Sequence, residues 1–548
     1  MELIGSVLMI YLFVKFNSID DFNLAHRVFN RLRFWIPPSE EDIKRVLQSP
    51  PAGSANNKSM RRKNANSDNK KNEKVNMTAA DRVERLKLKQ ALLQQGMLLR
   101  YRDWPALDQI VIFFLLAIFM TWWQEVYHFS HPSARLFKIG SLFTGIAAMV
   151  SLKALLDLVW KYGSSRTATT IDFRNVVTWL TGIVGAVIAS SMLLVAKEGG
   201  GLMTMTFHLD GVMRVLGKRC FSFCTETIGL SPASSILKVT NSEGGGAEQF
   251  VSLGPTRAFL VGVATTIAVA LVPSALTASF AFVHREKLPG RARGNALVRA
   301  SVIGEPVLTC LCCLTFFKPL GLGPVQRALA TTTAPLPAWI LRVGTSYGWL
   351  QLQAWMLGLV ITSRLVLLRW QLQTYLEYGG ILSLYQELHR AGPKPEDVDG
   401  LGLRLLFQQR LQRVPRVCLE IIAPLIWLGI LLFLLVSKCF LPPFLNFMAE
   451  MCMTEEALQA YLSPRGNPLP DSIIAVLHNL RGKGGKEGGL DWRAGGDVVH
   501  ALWDFQWLSE SEWGDLLGFF IWWTLGAWTV LYFTCIAYRS MHVQMSDH

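Results

Sequence analysis

Residues 414–439 read VPRVCLEIIAPLIWLGILLFLLVSKC. At 1.5 Å per residue such a run crosses a hydrocarbon layer about 30 Å thick. Lipid offers no partner for unpaired backbone groups, so the run is expected to be a helix. Within it sit a carboxylate, Glu420, and a kinking proline, Pro424. Working outward, the chain holds seven more runs of this kind: Leu107–Tyr127, Leu136–Trp160, Val176–Ala196, Ala258–Val283, Leu297–Phe317, Tyr347–Leu368 and Leu516–Tyr538. The expected fold is an all-α polytopic integral membrane protein with eight strong transmembrane helices plus an N-terminal hydrophobic segment.

Composition supports the same class. Of 548 residues 51% are hydrophobic and 17% charged, against about 25% charged in a typical soluble domain. The net charge of +14 fits basic loops beside a membrane as well as it fits nucleic acid, and no nucleic-acid partner is expected. The nine cysteines give neither a disulfide framework nor a zinc pattern. H-E-x-x-H, G-x-x-x-x-G-K-[ST] and G-x-S-x-G motifs are absent. The glycines at 199–201 and 244–246 lack a strand-turn-helix context, and His128 and His131 bracket a short loop. No enzyme activity, cofactor, metal or small-molecule substrate is therefore expected. The partners expected are the lipid bilayer and other membrane proteins.

The organisation follows the hydropathy. Residues 1–16 form an N-terminal hydrophobic segment, read as an uncleaved anchor with a signal peptide as the rival. Residues 17–106 form a basic loop that starts as an amphipathic helix on Leu24, Val28, Leu32 and Trp35 and turns into a disordered linker at 50–74. Membrane helices fill 107–196 and 258–440, separated by a loop, 197–257, whose 209–223 stretch is amphipathic. A loop at 441–515, Gly-rich at 481–496, precedes the last helix, 516–538, and the tail, 539–548. Lys and Arg concentrate in the connections on one side, including 17–106 and the tail side, which the positive-inside rule assigns to the cytosol. Sequons at Asn57 and Asn76 would be glycosylated only if the first loop were lumenal.

Ionisable residues inside spans carry the functional signal, because each costs about 2.5–3.5 kcal/mol at a helix centre unless paired or hydrated. They are Lys153, Asp157, Glu305, Arg364 and Glu420. Successive spans run in opposite directions, so all of them fall in one half of the bilayer, on the order of 5–12 Å below its edge. The expectation is a polar cluster in which Arg364 bonds Glu305 or Glu420, and Lys153 pairs with Asp157 at i, i+4. Snorkelling of Arg364 and Asp157 is the competing reading. Glu305, followed by Pro306, lies too deep for that. Gly182, Ala186 and Ser190 form a small-residue face for helix packing, and the Trp122-Trp123 and Trp522-Trp523 pairs are read as interfacial belts.

The stretch RLVLLRWQLQTYL at 364–376, with Arg364, Arg369, Gln373 and Tyr375, resembles the transmembrane protein 161 family. Arg33, PSEE at 38–41, Glu125-Val126-Tyr127, Ala423-Pro424-Leu425 and Trp522-Trp523 extend the resemblance along the chain. It implies a multi-pass protein without catalytic activity, associated with stress responses and membrane excitability. It also implies a signal segment and a glycosylated lumenal first loop, against the charge-based orientation. Function is thus expected to be structural or regulatory, influencing ion handling in the endomembrane system or plasma membrane. The alternative is an ion- or proton-coupled transporter or channel built on the Glu/Arg layer.

Overall fold

The structure is a computed structural model that describes residues 32–36, 41, 90–92, 104–130, 139–163, 173–195, 205–209, 211–213, 215, 246–283, 296–317, 323–324, 346–390, 400–440 and 510–546. Among the described residues eight long helices form the frame: α1 (Trp104–Ser130), α2 (Ile139–Gly163), α3 (Phe173–Val195), α4 (Gly246–Val283), α5 (Ala296–Leu314), α6 (Ser346–Arg390), α7 (Gly400–Leu435) and α8 (Glu510–Ser546). A π-helical turn, Val436–Phe440, continues α7. The N-terminal segment 1–16, the linker 50–74, Asn57, Asn76 and the Gly-rich 481–496 stretch lie outside the described residues.

Among the described residues, four helical stretches are long and apolar enough to cross a membrane: Arg257–Val283, Gly348–Glu377, Arg413–Leu435 and Ser511–Ser540. This corrects the expectation of eight. Ile110–Trp123, Val177–Ser191 and Ala300–Leu314 are shorter apolar helices. For α5 the reason is local. After Leu314 the chain turns, with Thr315 N–H bonding back to Leu311 and Cys312, and Phe317 leaves the helix to bridge Met205. The α2 run is interrupted by Lys153 and Asp157, both exposed. Helices α4, α6 and α7 also begin or end well beyond the apolar runs, because polar flanks continue the helical backbone.

α4 is the centre of the frame and packs against α8, α3, α2, α7 and α6. Its buried positions include Ala264, Ala268, Ala270, Ala275, Ala278 and Ala281. Small side chains let neighbouring backbones approach closely, which is how helices gain contact where lipid supplies no hydrophobic drive. A Cβ on Gly182 of α3 would meet Val269 at 3.4 Å, and one on Gly185 would meet Ala268 at 3.4 Å. The small-residue face of α3 therefore packs within the chain, while Trp179, Ile183 and Val187 on its other side are exposed.

Side-chain pairs fix the relative directions. α5 and α6 run antiparallel, with Glu305 beside Arg364 and Thr315 beside Trp349. α4 and α8 run parallel, with Trp523 bonded to Ala264 and Arg539 over Phe280. At the other end of the frame, Thr206 N–H bonds Phe316 O, and Phe207 sits against Phe316, Phe519 and Trp522. Leu209, Val212 and Met213 are buried behind it, spaced as an amphipathic turn.

Two readings of aromatic segments change. Trp522 and Trp523 are core residues, 9% and 5% exposed, and Trp523 Nε1 donates to Ala264 O at 2.7 Å. An indole N–H that finds a carbonyl has no need of the interface. Trp122 and Trp123 are exposed, as a belt would be. Of the amphipathic helix expected on Leu24, Val28, Leu32 and Trp35, the part up to residue 31 lies outside the described residues, and Arg33–Trp35 is instead a strand, β1, paired antiparallel with β2 (Gln90–Leu92). Pro37 biases the residue before it towards extended backbone.

Close packing makes one glycine sensitive. A Cβ on Gly429 would lie 2.9 Å from Phe114 Cζ, at the contact of α7 with α1. Gly429→Val is expected to cost about 1–3 kcal/mol through overpacking, and Phe114→Leu in the same chain should recover most of it. Unfolding of both variants in detergent checks this.

Candidate functional site

Arg364 lies on α6, in a helix face whose neighbours Leu367 and Leu368 are buried. At 7% exposure it faces the interior rather than an interface. Its Nε donates to Glu305 Oε1 at 2.7 Å, and Glu305 is itself 5% exposed on α5. Thr309, one turn beyond Glu305, donates its hydroxyl to Glu305 Oε1 at 3.0 Å and to Glu305 O at 2.9 Å. It also accepts from Arg364 Nη2 at 3.4 Å. Pro306 has no N–H and leaves a carbonyl of the preceding turn without its helical donor.

The guanidinium is closed from α8. Arg364 Cζ stands 3.7 Å from the centroid of Trp528, which stacks on Tyr532 at 4.7 Å. Tyr532 meets Phe282 of α4 edge-on. A planar cation over an indole face is attracted by the ring quadrupole, and more strongly once desolvated. Arg364 thus ties α5 and α8 to α6 by one ion pair and one ring contact. Removing a single partner of a buried pair costs about 3–5 kcal/mol, because the other charge stays behind.

The other ionisable residues are placed differently. Glu420, 4% exposed, is not brought to Arg364. Its Oε2 accepts from Thr277 of α4 at 3.0 Å, and its Oε1 lies 3.6 Å from Nε of Arg416, one turn earlier on α7. Lys153 and Asp157 are exposed on α2, and among the described residues neither makes an ion pair. The expected cluster therefore divides into two buried acid sites and a separate exposed pair.

Further along α6, Gln373 supplies a second junction. Its Oε1 accepts from Arg33 N–H and its Nε2 donates to Arg33 O, both at 3.0 Å. The side-chain amide thereby plays the part of a neighbouring strand for β1. Nε2 also donates to Oε1 of Glu377, which is 3% exposed. Arg369 is exposed on α6, and Tyr375 packs against the core. Phe34 is buried where β1 meets α6. Since Arg539 near the end of α8 lies over Phe280, β1 and the C-terminal end of α8 share one end of the frame.

Thr309, Trp528 and Thr277 were not singled out from the sequence. Thr309 had a readable signal, a hydroxyl at i+4 from an intramembrane carboxylate. Trp528 had none, since a distant helix brings it to Arg364.

These features define a helical multi-pass membrane protein organised round buried charge pairs. The family model described as predicted transmembrane protein 161AB matches residues 1–381, and the chain belongs to that family. Glu305, Thr309, Arg364 and Gln373 fall inside the matched stretch, whereas Glu420, Trp528 and the Ala423-Pro424-Leu425 and Trp522-Trp523 anchors fall outside it. No curated protein and no solved structure matches the chain.

Gln373→Ala removes both bonds to Arg33 while sparing the apolar contacts of α6. The expected outcome is faster proteolysis within 33–92 at an unchanged unfolding midpoint of the helical frame. Equal protease resistance in wild type and variant would remove the junction from the account.

Proposed function

We propose that the protein is a non-enzymatic, multi-pass membrane component of the endomembrane system or plasma membrane that acts through helix contacts and influences ion handling, membrane excitability or the response to stress. One observation carries this reading: Arg364 engages Glu305 and Thr309 on α5 and Trp528 on α8 at once. A charge held by its own helices acts as a clamp, and its role is to fix how those helices meet. The family resemblance supplies the link to excitability and stress.

A coupled transporter is the second reading, favoured by a specific feature. Glu305 and Glu420 are both buried, both accept from a threonine hydroxyl and both lie on proline-bearing helices. The two readings separate on a double substitution. Replacing Glu305 by Leu and Arg364 by Met together removes both charges, which is often neutral for stability. The clamp reading expects this variant to accumulate normally and complement cells lacking the protein. A folded but inactive double variant would point to the transporter.

Orientation belongs to the same proposal. The basic connections and the end shared by β1 and α8 are assigned to the cytosol. Asn57 and Asn76 should then carry no glycan in the full-length protein from mammalian cells. A glycosidase-sensitive mass shift would instead place the first loop in the lumen.

A further inference from the structure

We infer that Glu377 is a proton switch for the β1–β2 ribbon: with the neutral acid the ribbon stays docked on α6, and with the carboxylate it lifts off. The inference concerns the junction made by Gln373 and stands apart from the clamp at Arg364. Glu377 is 3% exposed. Its Oε1 accepts from Gln373 Nε2, whereas its Oε2 is buried and makes no hydrogen bond. Trp370, Gln373 and Glu377 recur at i, i+3 and i+7 and so share one stripe of α6. Trp370 Nε1 and, on β1, Trp35 Nε1 are also buried without a hydrogen bond. Gln373 holds both backbone groups of Arg33. The acid thus stands one bond away from the contact that docks the ribbon, beside a group of unsatisfied polar atoms.

A buried carboxylate has to be met by donors or by a counter-charge. Among the described residues Glu377 has one donor, the Gln373 amide. The cation acting on it from another element is Arg33 of β1, whose exposed side chain is screened by water. The ionisable groups of the helices packed on α6 are engaged elsewhere or turned outward. Glu305 of α5 takes Arg364, Glu420 of α7 takes Thr277 and Arg416, and Arg413 of α7 is exposed, as is Arg369 on α6 itself. The neutral acid suits this setting. Oε1 goes on accepting from Gln373 when Oε2 carries the proton, and an unbonded O–H costs less than an unbonded anionic oxygen. Loss of the proton leaves a charge that calls for water. Lifting β1 from Gln373 opens the stripe to it and hydrates the indole N–H groups as well. Protons have access, because the apolar run of α6 ends at Leu368 and Glu377 lies about 13 Å further along the helix. The docked state binds more protons than the released state, so docking weakens as pH rises.

Amide exchange of the full-length protein in nanodiscs tests the switch, read as protection factors so that the pH dependence of chemical exchange cancels. Protection at 33–35 should fall about tenfold between about pH 5 and about pH 8, the factor that one unit of proton linkage supplies. Amides in the middle of α8 should hold theirs over the same range. Glu377→Gln donates and accepts as the acid does but cannot ionise, so its protection at 33–35 should stay at the low-pH level throughout. Glu377→Leu, equally unable to titrate, should also show no pH dependence and serves if Glu377→Gln fails to accumulate. Wild-type protection that is flat overturns the proposal. Protection that rises with pH overturns it too, since the docked form would then be the carboxylate paired with Arg33. A fall that survives in Glu377→Gln, or that α8 shares, places the effect outside this acid and likewise overturns it.

Discussion

A guanidinium cannot be neutralised inside a protein, so its burial has to be met by other groups rather than by loss of a proton. Arg364 is met by Glu305 at 2.7 Å, by the Thr309 hydroxyl and by the face of Trp528. The contacts come from two helices, α5 and α8, and all are satisfied only if α5, α6 and α8 hold one mutual register. Apolar packing alone tolerates sliding of one helix along another. A charge with one acceptable position does not. Glu420 repeats the device between α7 and α4 through Thr277, so the two acids together fix the central helices against one another.

The rest of the frame accommodates these fixed points. α4 approaches its neighbours through alanines and meets the glycines of α3. The indole groups bury their N–H donors on internal acceptors, Trp523 on Ala264 O and Trp427 on Thr524. At one end Phe207 fills the space between α5 and α8; towards the other, Gln373 joins β1 to α6 through a side-chain amide. Hydroxyl and amide groups serve here as short-range connectors, each with its partner on the next element.

Much of this was legible in the sequence for a physical reason. Hydropathy reports transfer into lipid, and span parity reports depth, so Arg364 and Glu305 could be placed in one layer before any coordinates. Which acid Arg364 takes was not legible. A linear reading gives neither the rotation of a helix nor its axial offset from its neighbour, and these bring Glu420 to Thr277 and Glu305 to Arg364. Trp528 stood outside reach altogether, since no periodicity links α8 to α6. Lys153 and Asp157 face away from the frame instead of joining the cluster, because a one-dimensional reading does not give the direction of a charge. The tryptophans of α8 were misread for the same reason: proximity to a span end suggested an interface, while the side chains turn inward. The number of spans also exceeded what the helices support, because apolar sequence continues through the turn after α5.

The central claim is that Glu305 and Arg364 act as one unit. A double-mutant cycle on the full-length protein in bicelles, with Glu305→Gln, Arg364→Gln and both together, measures that directly through unfolding free energy. The account predicts two strongly destabilised single variants and a coupling of about 1–3 kcal/mol between the sites. Strictly additive effects would contradict it.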